Sequence, residues 1–228
     1  MGKYKEYVLG QKRRIGVLIA YFILWLFIIP IIVLGFMNLF NVEDKLLYVF
    51  FDYLLGSILV VAIAFPLFKK EADINFIDLI KAIATGIGLL LLANIIIGNF
   101  IGILFSLETS ENQNQIMQIQ RMNPYIYLIT VGVLAPILEE TVFRGVIFRM
   151  VREKSSFFKA ALISSFFFGF IHVMDSIFIG KFMDLIYIFL YGAMGIVFAK
   201  AYEDTGSIYG CIILHGLYNT LAFVLSTM

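Results

Sequence analysis

Two glutamates and an arginine interrupt an apolar stretch of the chain near its middle. The stretch covers residues 125–149, and the charged residues are Glu139, Glu140 and Arg144. At the centre of a bilayer each charged side chain costs roughly 2.5–3.5 kcal/mol, so three that faced lipid would cost on the order of 8–10 kcal/mol. These side chains are therefore expected to face protein or a wet cavity, and to be paired or protonated.

Helical geometry predicts different roles for the two glutamates. Glu140 and Arg144 are four residues apart on one face and can form a salt bridge, which either fixes helix packing or supports a site. Glu139 is turned by about 100° and has no cation on its own helical face. An unpaired carboxylate shielded from water suits a general base, so Glu139 is assigned to the chemistry. Pro136 removes a backbone hydrogen bond one turn earlier and can kink the helix there.

Both histidines of the chain lie in apolar stretches that follow these acids. His172 comes four residues after Phe168, and Asn219 comes four residues after His215, so each pair shares one helical face. A lone histidine in an apolar helix is often a packing residue. Two histidines beside a pair of intramembrane acids instead indicate a functional site.

These residue types fit peptide hydrolysis, which needs an activated water and donors for the oxyanion. Glu139 and His172 could hold and deprotonate the water, while His215 and Asn219 could donate to the oxyanion. Glu139, His172 and His215 could instead bind zinc, since one carboxylate, two imidazoles and a water form a common catalytic set. The metalloprotease motif H-E-x-x-H is absent, and the spacing leaves open whether a cofactor is needed.

Long apolar stretches must position these residues. Of the 228 residues, 61% are hydrophobic and 14% are charged, so lipid is the expected solvent for most of the chain. Seven continuously apolar stretches each come near the roughly 20 residues that span a bilayer, which disfavours an alternating β-barrel pattern. They are residues 15–40, 46–68, 79–107, 125–149, 158–178, 183–202 and 206–227. We predict an all-α, polytopic membrane protein of about seven transmembrane helices, with eight as the alternative.

The expected organisation is a single membrane domain, 1–228, in which one polar connection, Glu108 to Asn123, separates two parts. A three-helix part, 1–110, precedes it, and a catalytic core, 125–225, follows it.

The three-helix part contains few residues that could take part in catalysis. Asp52 is interpreted as an interfacial carboxylate. Asn94, Asn99 and the Gly98-x-x-x-Gly102 spacing predict close helix packing.

The basic residues predict the orientation in the cell membrane. With a cytoplasmic N-terminus, thirteen Lys and Arg residues fall inside and three outside, and seven alternating spans place the C-terminus outside. The inner residues are Lys3, Lys5, Lys12, Arg13, Arg14, Lys69, Lys70, Lys81, Arg149, Arg152, Lys154, Lys159 and Lys200. The outer residues are Lys45, Arg121 and Lys181.

The net charge of +1 gives no reason to expect nucleic acid as a partner, and the single cysteine, Cys211, cannot form an internal disulfide. The expected partners are the lipid bilayer and a peptide or membrane-protein substrate. The sequence does not indicate an oligomeric state.

Three motifs resemble those of the CAAX protease and bacteriocin-processing (CPBP, Abi) family, which includes proteins like CAAX prenyl protease 2. The motifs, in order on successive apolar stretches, are Glu139-Glu140-x-x-x-Arg144, Phe168-x-x-x-His172 and His215-x-x-x-Asn219. The resemblance covers roughly residues 125–225. It implies an all-helical intramembrane endopeptidase with a buried polar cavity.

The resemblance also implies roles for individual residues. The catalytic residues would be Glu139, His172, His215 and Asn219, supported by Glu140, Arg144 and Phe168. Members of this family are often described as metalloproteases, although water activated by glutamate without metal is also argued for some. Bacterial members are associated with bacteriocin immunity, peptide maturation and peptide signalling, and the small size of this chain resembles theirs.

Two other functions remain open at this point. A non-catalytic membrane scaffold or immunity protein would keep the motifs for the fold, because the Glu140–Arg144 pair has a structural explanation. A proton-coupled transporter would use the same acids and histidines, but the chain shows no repeat between its halves.

Overall fold

The computed structural model describes residues 9–107 and 109–227, and within them it contains eight long helices and no strand. The helices are α1 (Gln11–Leu39), α2 (Lys45–Glu71), α3 (Phe76–Phe105), α4 (Glu111–Met122), α5 (Pro124–Arg152), α6 (Phe157–Phe178), α7 (Phe182–Thr205) and α8 (Ile208–Thr227). Lys3 and Lys5, used above for the orientation, lie outside the described residues.

Seven of these helices are long and apolar enough to cross a membrane, which confirms the predicted all-α, polytopic class. The exception is α4, which forms within the polar connection. Its sequence is rich in Gln, a good helix former, and also contains Asn, so it forms a helix that is too polar to span a bilayer. The Ser110 hydroxyl caps its first turn by accepting a hydrogen bond from the Gln113 amide at 3.2 Å.

Short polar side chains start several of the other helices. The Asp44 carboxylate accepts hydrogen bonds from the first turn of α2, and the Asn75 side chain does so for α3. Asn123 accepts a hydrogen bond from the Tyr125 amide at 3.0 Å, and Pro124 follows it at the first helical position. These caps bond backbone amides that a helix start leaves free, so the boundaries follow from local sequence.

Helix α5 is the most buried of the apolar helices, and α3 is the least buried. Helices α2, α6 and α8 all pack against α5, whereas α3 packs against α7 and α8 at the periphery. The helix with the charged motif is therefore surrounded by protein, as the cost of its charges in lipid requires.

An ion pair and a buried glutamate join the helices at the end of the bundle where α1 begins and α2 ends. Arg14 of α1 donates two hydrogen bonds to Glu153, at 2.8 and 2.9 Å. Glu71, at the end of α2, is 2% exposed and accepts hydrogen bonds from the Tyr202 hydroxyl at 2.9 Å and the Ile208 amide at 2.8 Å. Glu71 thereby caps α8 from another helix and fixes the start of the helix that contains His215.

Helix α4 is attached at the opposite end of the bundle. The backbone amide of Glu111 donates to the Asp184 carboxylate at 2.8 Å, and Lys181 donates to the Glu111 carboxylate at 2.7 Å. The hydrogen bond from Lys181 holds the pKa of Glu111 below its usual range. At the other end of α4, Gln120 donates to the Ser226 hydroxyl at 2.8 Å. These contacts hold α4 to α7 and α8 across this end of the bundle.

The prediction of close packing is wrong for Gly98 and Gly102, although Asn94 does join α3 to α8 by donating to the Tyr218 hydroxyl at 3.0 Å. A Cβ added at Gly98 would meet the Asn94 side chain of its own helix, and one at Gly102 would meet the Leu107 carbonyl just beyond that helix. The glycines instead line a groove of about 710 Å³ beside Leu190 of α7. The motif alone could not reveal this, because small residues permit a close helix approach without requiring one.

Candidate active site

A cavity of about 430 Å³ lies inside the bundle and receives side chains from all eight helices. It brings together the four residues predicted to be catalytic: Glu139, His172, His215 and Asn219. They come from α5, α6 and α8, so residues up to 80 positions apart in the sequence line one space. Glu140 and Arg144 do not line the cavity and lie behind its wall, fully buried.

Glu139 and His172 face each other across the cavity. The Nε2 atom of His172 lies 3.7 Å from Oε2 of Glu139, which is too long for a direct hydrogen bond. The Nδ1 atom of His172 lies 2.8 Å from the Phe168 carbonyl, which can only accept, so Nδ1 carries a proton. In the neutral ring Nε2 is then a free acceptor. Oε2 of Glu139 has no hydrogen-bond partner within the described chain.

Glu140 forms the predicted ion pair and a further contact. Its Oε1 atom accepts from Nη1 of Arg144 at 3.1 Å and from Nδ1 of His215 at 2.9 Å. Arg144 also donates from Nη2 to the Gly195 carbonyl of α7 at 2.9 Å. The pair therefore ties α5 to α7 and α8, and it orients the imidazole of His215.

Aromatic rings complete the surroundings of the arginine. The Arg144 guanidinium lies 4.4 Å from the centre of the Phe168 ring and 5.3 Å from that of Phe198. These distances fit cation–π contacts, which are stronger when the cation is desolvated. Phe198 also stacks on His215 with ring centres 4.3 Å apart. Phe168, predicted as supporting, therefore has two contacts: its ring lies against Arg144, and its carbonyl accepts the hydrogen bond that orients His172.

The backbone of α5 departs from regular α-helical geometry just before the glutamates. A π-helical turn covers Thr130–Leu134, and Pro136 follows with no amide hydrogen to donate. Two carbonyls of that turn face α8: Asn219 donates to the Val131 carbonyl at 2.8 Å, and Gly216 packs against the Gly132 carbonyl. A Cβ added at Gly216 would lie 2.4 Å from that oxygen. The irregular turn thus sets the position of α8, including the neighbouring His215.

The oxyanion assignment is limited by these hydrogen bonds. Nδ1 of His215 bonds to a carboxylate and so carries a proton, which leaves Nε2 a donor only when the ring is doubly protonated. Asn219 uses one of its two amide hydrogens on Val131 and keeps the second. Asn219 is therefore the donor that needs no added proton.

The set considered above for zinc, Glu139, His172 and His215, does not fit a metal ion in this arrangement. Among residues 9–107 and 109–227, no group of three His, Cys, Asp or Glu side chains converges as metal ligands.

Several cavity residues were not identified from the sequence. The Tyr191 ring stacks on His172 with centres 4.7 Å apart, and its hydroxyl bonds to Ser110 at 2.6 Å, next to α4. Asp52, interpreted above as an interfacial carboxylate, lines the cavity with a buried Oδ1. The default reading of an acid within a span as functional would have identified Asp52. No pattern marks Tyr191, because tyrosine is common in this chain.

Comparison with known proteins confirms the resemblance drawn from the motifs. Residues 121–221 match the model of the Rce1-like family, described as type II CAAX prenyl endopeptidase Rce1-like. This range contains α5 to α8 almost in full, and with them the four residues predicted to be catalytic.

Two curated relatives match over part of the chain. YdiL of Bacillus subtilis (strain 168), provisionally named a membrane peptidase, is 36% identical over 116 residues, which are 51% of this chain and 43% of that protein. The UPF0177 protein YvdC of Lactococcus lactis subsp. lactis (strain IL1403) is 28% identical over 144 residues, which are 63% of this chain and 52% of that protein. The matches thus cover about half the length of each relative. No solved structure matches the chain.

Proposed function

We propose that this chain, whose residues 121–221 match the Rce1-like CAAX endopeptidase family, is an intramembrane endopeptidase. Its substrate is a small peptide or a membrane-anchored precursor, cut during peptide maturation, peptide signalling or bacteriocin immunity. The observation that supports this most directly is the pairing of Glu139 and His172 across a cavity inside the bundle.

Glu139 and His172 activate the attacking water. A water about 2.8 Å from both Oε2 of Glu139 and Nε2 of His172 fits beside the 3.7 Å gap between them. Glu139 takes one proton from this water as the oxygen attacks the carbonyl carbon of the peptide bond. The tetrahedral intermediate collapses with cleavage of the C–N bond, and Glu139 passes the proton to the leaving amine. One water is consumed, and a carboxylic acid and an amine are formed.

Asn219 and His215 stabilise the negative oxygen of the intermediate. Asn219 lines the α8 wall of the cavity and has a second amide hydrogen that it can donate to this oxygen. His215, held by Glu140, adds a second donor when its ring is doubly protonated. Donors fixed in advance are effective because they do not have to reorganise as charge develops.

The proposal is tested by comparing the peptides of cells that carry the intact gene with those of cells that carry Glu139→Ala. We expect peptides with new termini only in cells with the intact protein, and the same loss with His172→Ala. Glu43→Ala is the matched control, because Glu43 is exposed outside the spans and should leave the products unchanged. Identical peptide sets in all four strains, with each protein present in the membrane, would contradict the proposal.

A non-catalytic scaffold is the second candidate, and one observation favours it. Glu140, Arg144 and His215 are joined by buried hydrogen bonds, which would explain these motif residues by stability alone. That network gives no role to Glu139 or to the unbonded Nε2 of His172. A deletion phenotype that Glu139→Ala fully rescues would select the scaffold over the peptidase.

The location follows from the same proposal. We place the chain in the cell membrane with its N-terminus in the cytoplasm and its C-terminus outside, as the basic residues predict. The α4 end of the cavity, lined by Gln113, Gln115 and Gln120, then opens to the exterior.

A further inference from the structure

Two aspartates line the cavity close to the proposed catalytic pair. Asp52 comes from α2 and Asp175 from α6, and the sequence analysis assigned neither to the chemistry. Both carboxylates lie within electrostatic range of the Tyr53 hydroxyl, as does Glu139. Asp52, Asp175 and Tyr53 are called the acidic subsite below.

Helix geometry gives the distance of this subsite from the catalytic histidine. Asp175 is three residues after His172 on α6, which corresponds to a rise of about 4.5 Å toward α4. Neighbouring residues of an extended peptide are about 3.3 Å apart. A peptide whose scissile bond lies at His172 therefore brings a side chain one or two residues away to the level of Asp175.

The cavity wall offers no positive charge to balance these acids. None of the described residues that line it is a lysine or an arginine. Oδ1 of Asp52 is buried and has no hydrogen-bond partner within the described ranges. A buried carboxylate oxygen without a partner is costly, and a cation supplied by a ligand would relieve that cost.

Two further groups indicate that a ligand binds in this part of the cavity. The Trp25 side chain is 8% exposed and Thr130 is 1% exposed, and both line the cavity. The Thr130 hydroxyl has no hydrogen-bond partner in the described structure, and the Trp25 Nε1 has only a poorly aligned contact with the Asp52 carboxylate. The indole lies beside the Asp52 carboxylate, and its ring is 5.2 Å from that of Tyr53. Such groups suit a peptide: polar atoms for its backbone and aromatic faces for a cation.

We infer that Asp52 and Asp175 form a binding subsite for a cationic side chain, lysine or arginine, located one or two residues from the scissile bond. This inference rests on the proposed function, because it names the class of peptide that the cavity takes. The carboxylates bind the cation, and the Trp25 and Tyr53 rings cover its aliphatic stem.

The test measures binding without catalysis, using the Glu139→Gln protein in detergent. The probes are two fluorescent apolar decapeptides that differ only at a central position, which is lysine in one and norleucine in the other. We expect the lysine peptide to bind about tenfold more tightly or better, as close charge pairs shielded from water do. Adding Asp52→Asn and Asp175→Asn should remove that preference and leave the binding of the norleucine peptide unchanged.

Asp204→Asn is the matched control, because it neutralises an exposed carboxylate outside the cavity and should keep the preference. Equal binding of the two peptides to the Glu139→Gln protein would overturn the inference. A preference for the lysine peptide that survives both asparagine substitutions would overturn it as well. So would an equal loss of binding affinity for both peptides. The proposed function is judged separately, by cleavage in the protein with Glu139 intact, so the two failures are distinguishable.

Discussion

Glu139 and Glu140 are adjacent in the sequence and have opposite surroundings. Glu140 is fully buried, and one of its oxygens accepts hydrogen bonds from Arg144 and His215. Glu139 lines the cavity, and its Oε2 has no partner among the described residues. The first arrangement is typical of a structural ion pair, and the second of a group kept available for a ligand or substrate.

This difference predicts unequal effects of two conservative substitutions on the free energy of unfolding. Glu140→Gln leaves the Arg144 charge buried without its partner, so it should lower the free energy of unfolding by about 3–5 kcal/mol. Glu139→Gln neutralises a carboxylate whose Oε2 makes no hydrogen bond among the described residues, so it should leave that free energy unchanged or raise it. Thermal unfolding of both proteins in the same detergent measures this. Equal destabilisation by the two substitutions would contradict the division of roles.

A second prediction at this scale concerns Asn219. If its second amide hydrogen meets the oxyanion, Asn219→Ala should lower kcat by about 10²–10³-fold with little change in KM. The measurement is steady-state kinetics on a peptide identified by the cell comparison. Leu225→Ala is a control near the distal end of the same helix, because the Leu225 side chain is exposed and does not line the cavity. A rise in KM with unchanged kcat would show that Asn219 positions α8 or the substrate and does not stabilise the transition state.

The sequence could predict the contacts that lie within one helix. The Glu140–Arg144 pair follows from spacing of four residues, and the same spacing places Phe168 beside His172. It could not predict that His215 bonds to Glu140, because those residues are 75 positions apart. Tyr191 was missed for the same reason, since its role depends on which helices meet.

At the scale of helices, the position of α8 depends on the irregular turn of α5. Pro136 donates no backbone hydrogen bond, and Gly216 approaches the Gly132 carbonyl where no Cβ fits. The sequence predicted an effect of the proline on the helix. The π-helical turn and the glycine contact could not be predicted, because they require the packing of α5 against α8.

Gly216→Ala tests this dependence. The added methyl group must push α8 away from α5, so activity should fall at least about tenfold as His215 and Asn219 move, while the protein still inserts. Gly88→Ala is the matched control, since a Cβ there meets nothing within 4 Å and should leave activity unchanged. Cleavage rates of the two variants, measured at equal protein, decide the outcome. Equal rates would show that the close approach does not position the site.

At the scale of the whole molecule, the apolar stretches predicted the seven spans with small errors at their ends. The first span begins at Gln11, four residues earlier than expected, because polar residues extend the helix beyond its apolar part. Helix α4 was not predicted from the sequence, because its many polar residues are also typical of a loop. The orientation in the membrane remains a prediction from the basic residues.

Single introduced cysteines test that orientation. The native Cys211 is buried, so it gives a low background. Gln118 on α4 and Lys154 between α5 and α6 are both exposed. In intact cells a membrane-impermeant maleimide should label Gln118→Cys, whereas Lys154→Cys should react only after permeabilisation. The reverse pattern would place the α4 end of the cavity in the cytoplasm.

The central claim is that water held by Glu139 and His172 hydrolyses a peptide bond inside the bundle. Its most direct test incubates the purified protein in water enriched in oxygen-18, with peptides that span the cleavage sites found in cells, and analyses the products by mass spectrometry. The account predicts new C-termini that contain one oxygen-18 atom, formed by the intact protein and at least about 10²-fold more slowly by Glu139→Gln. Equal cleavage by the two folded proteins, or no cleavage by the intact one, would contradict it.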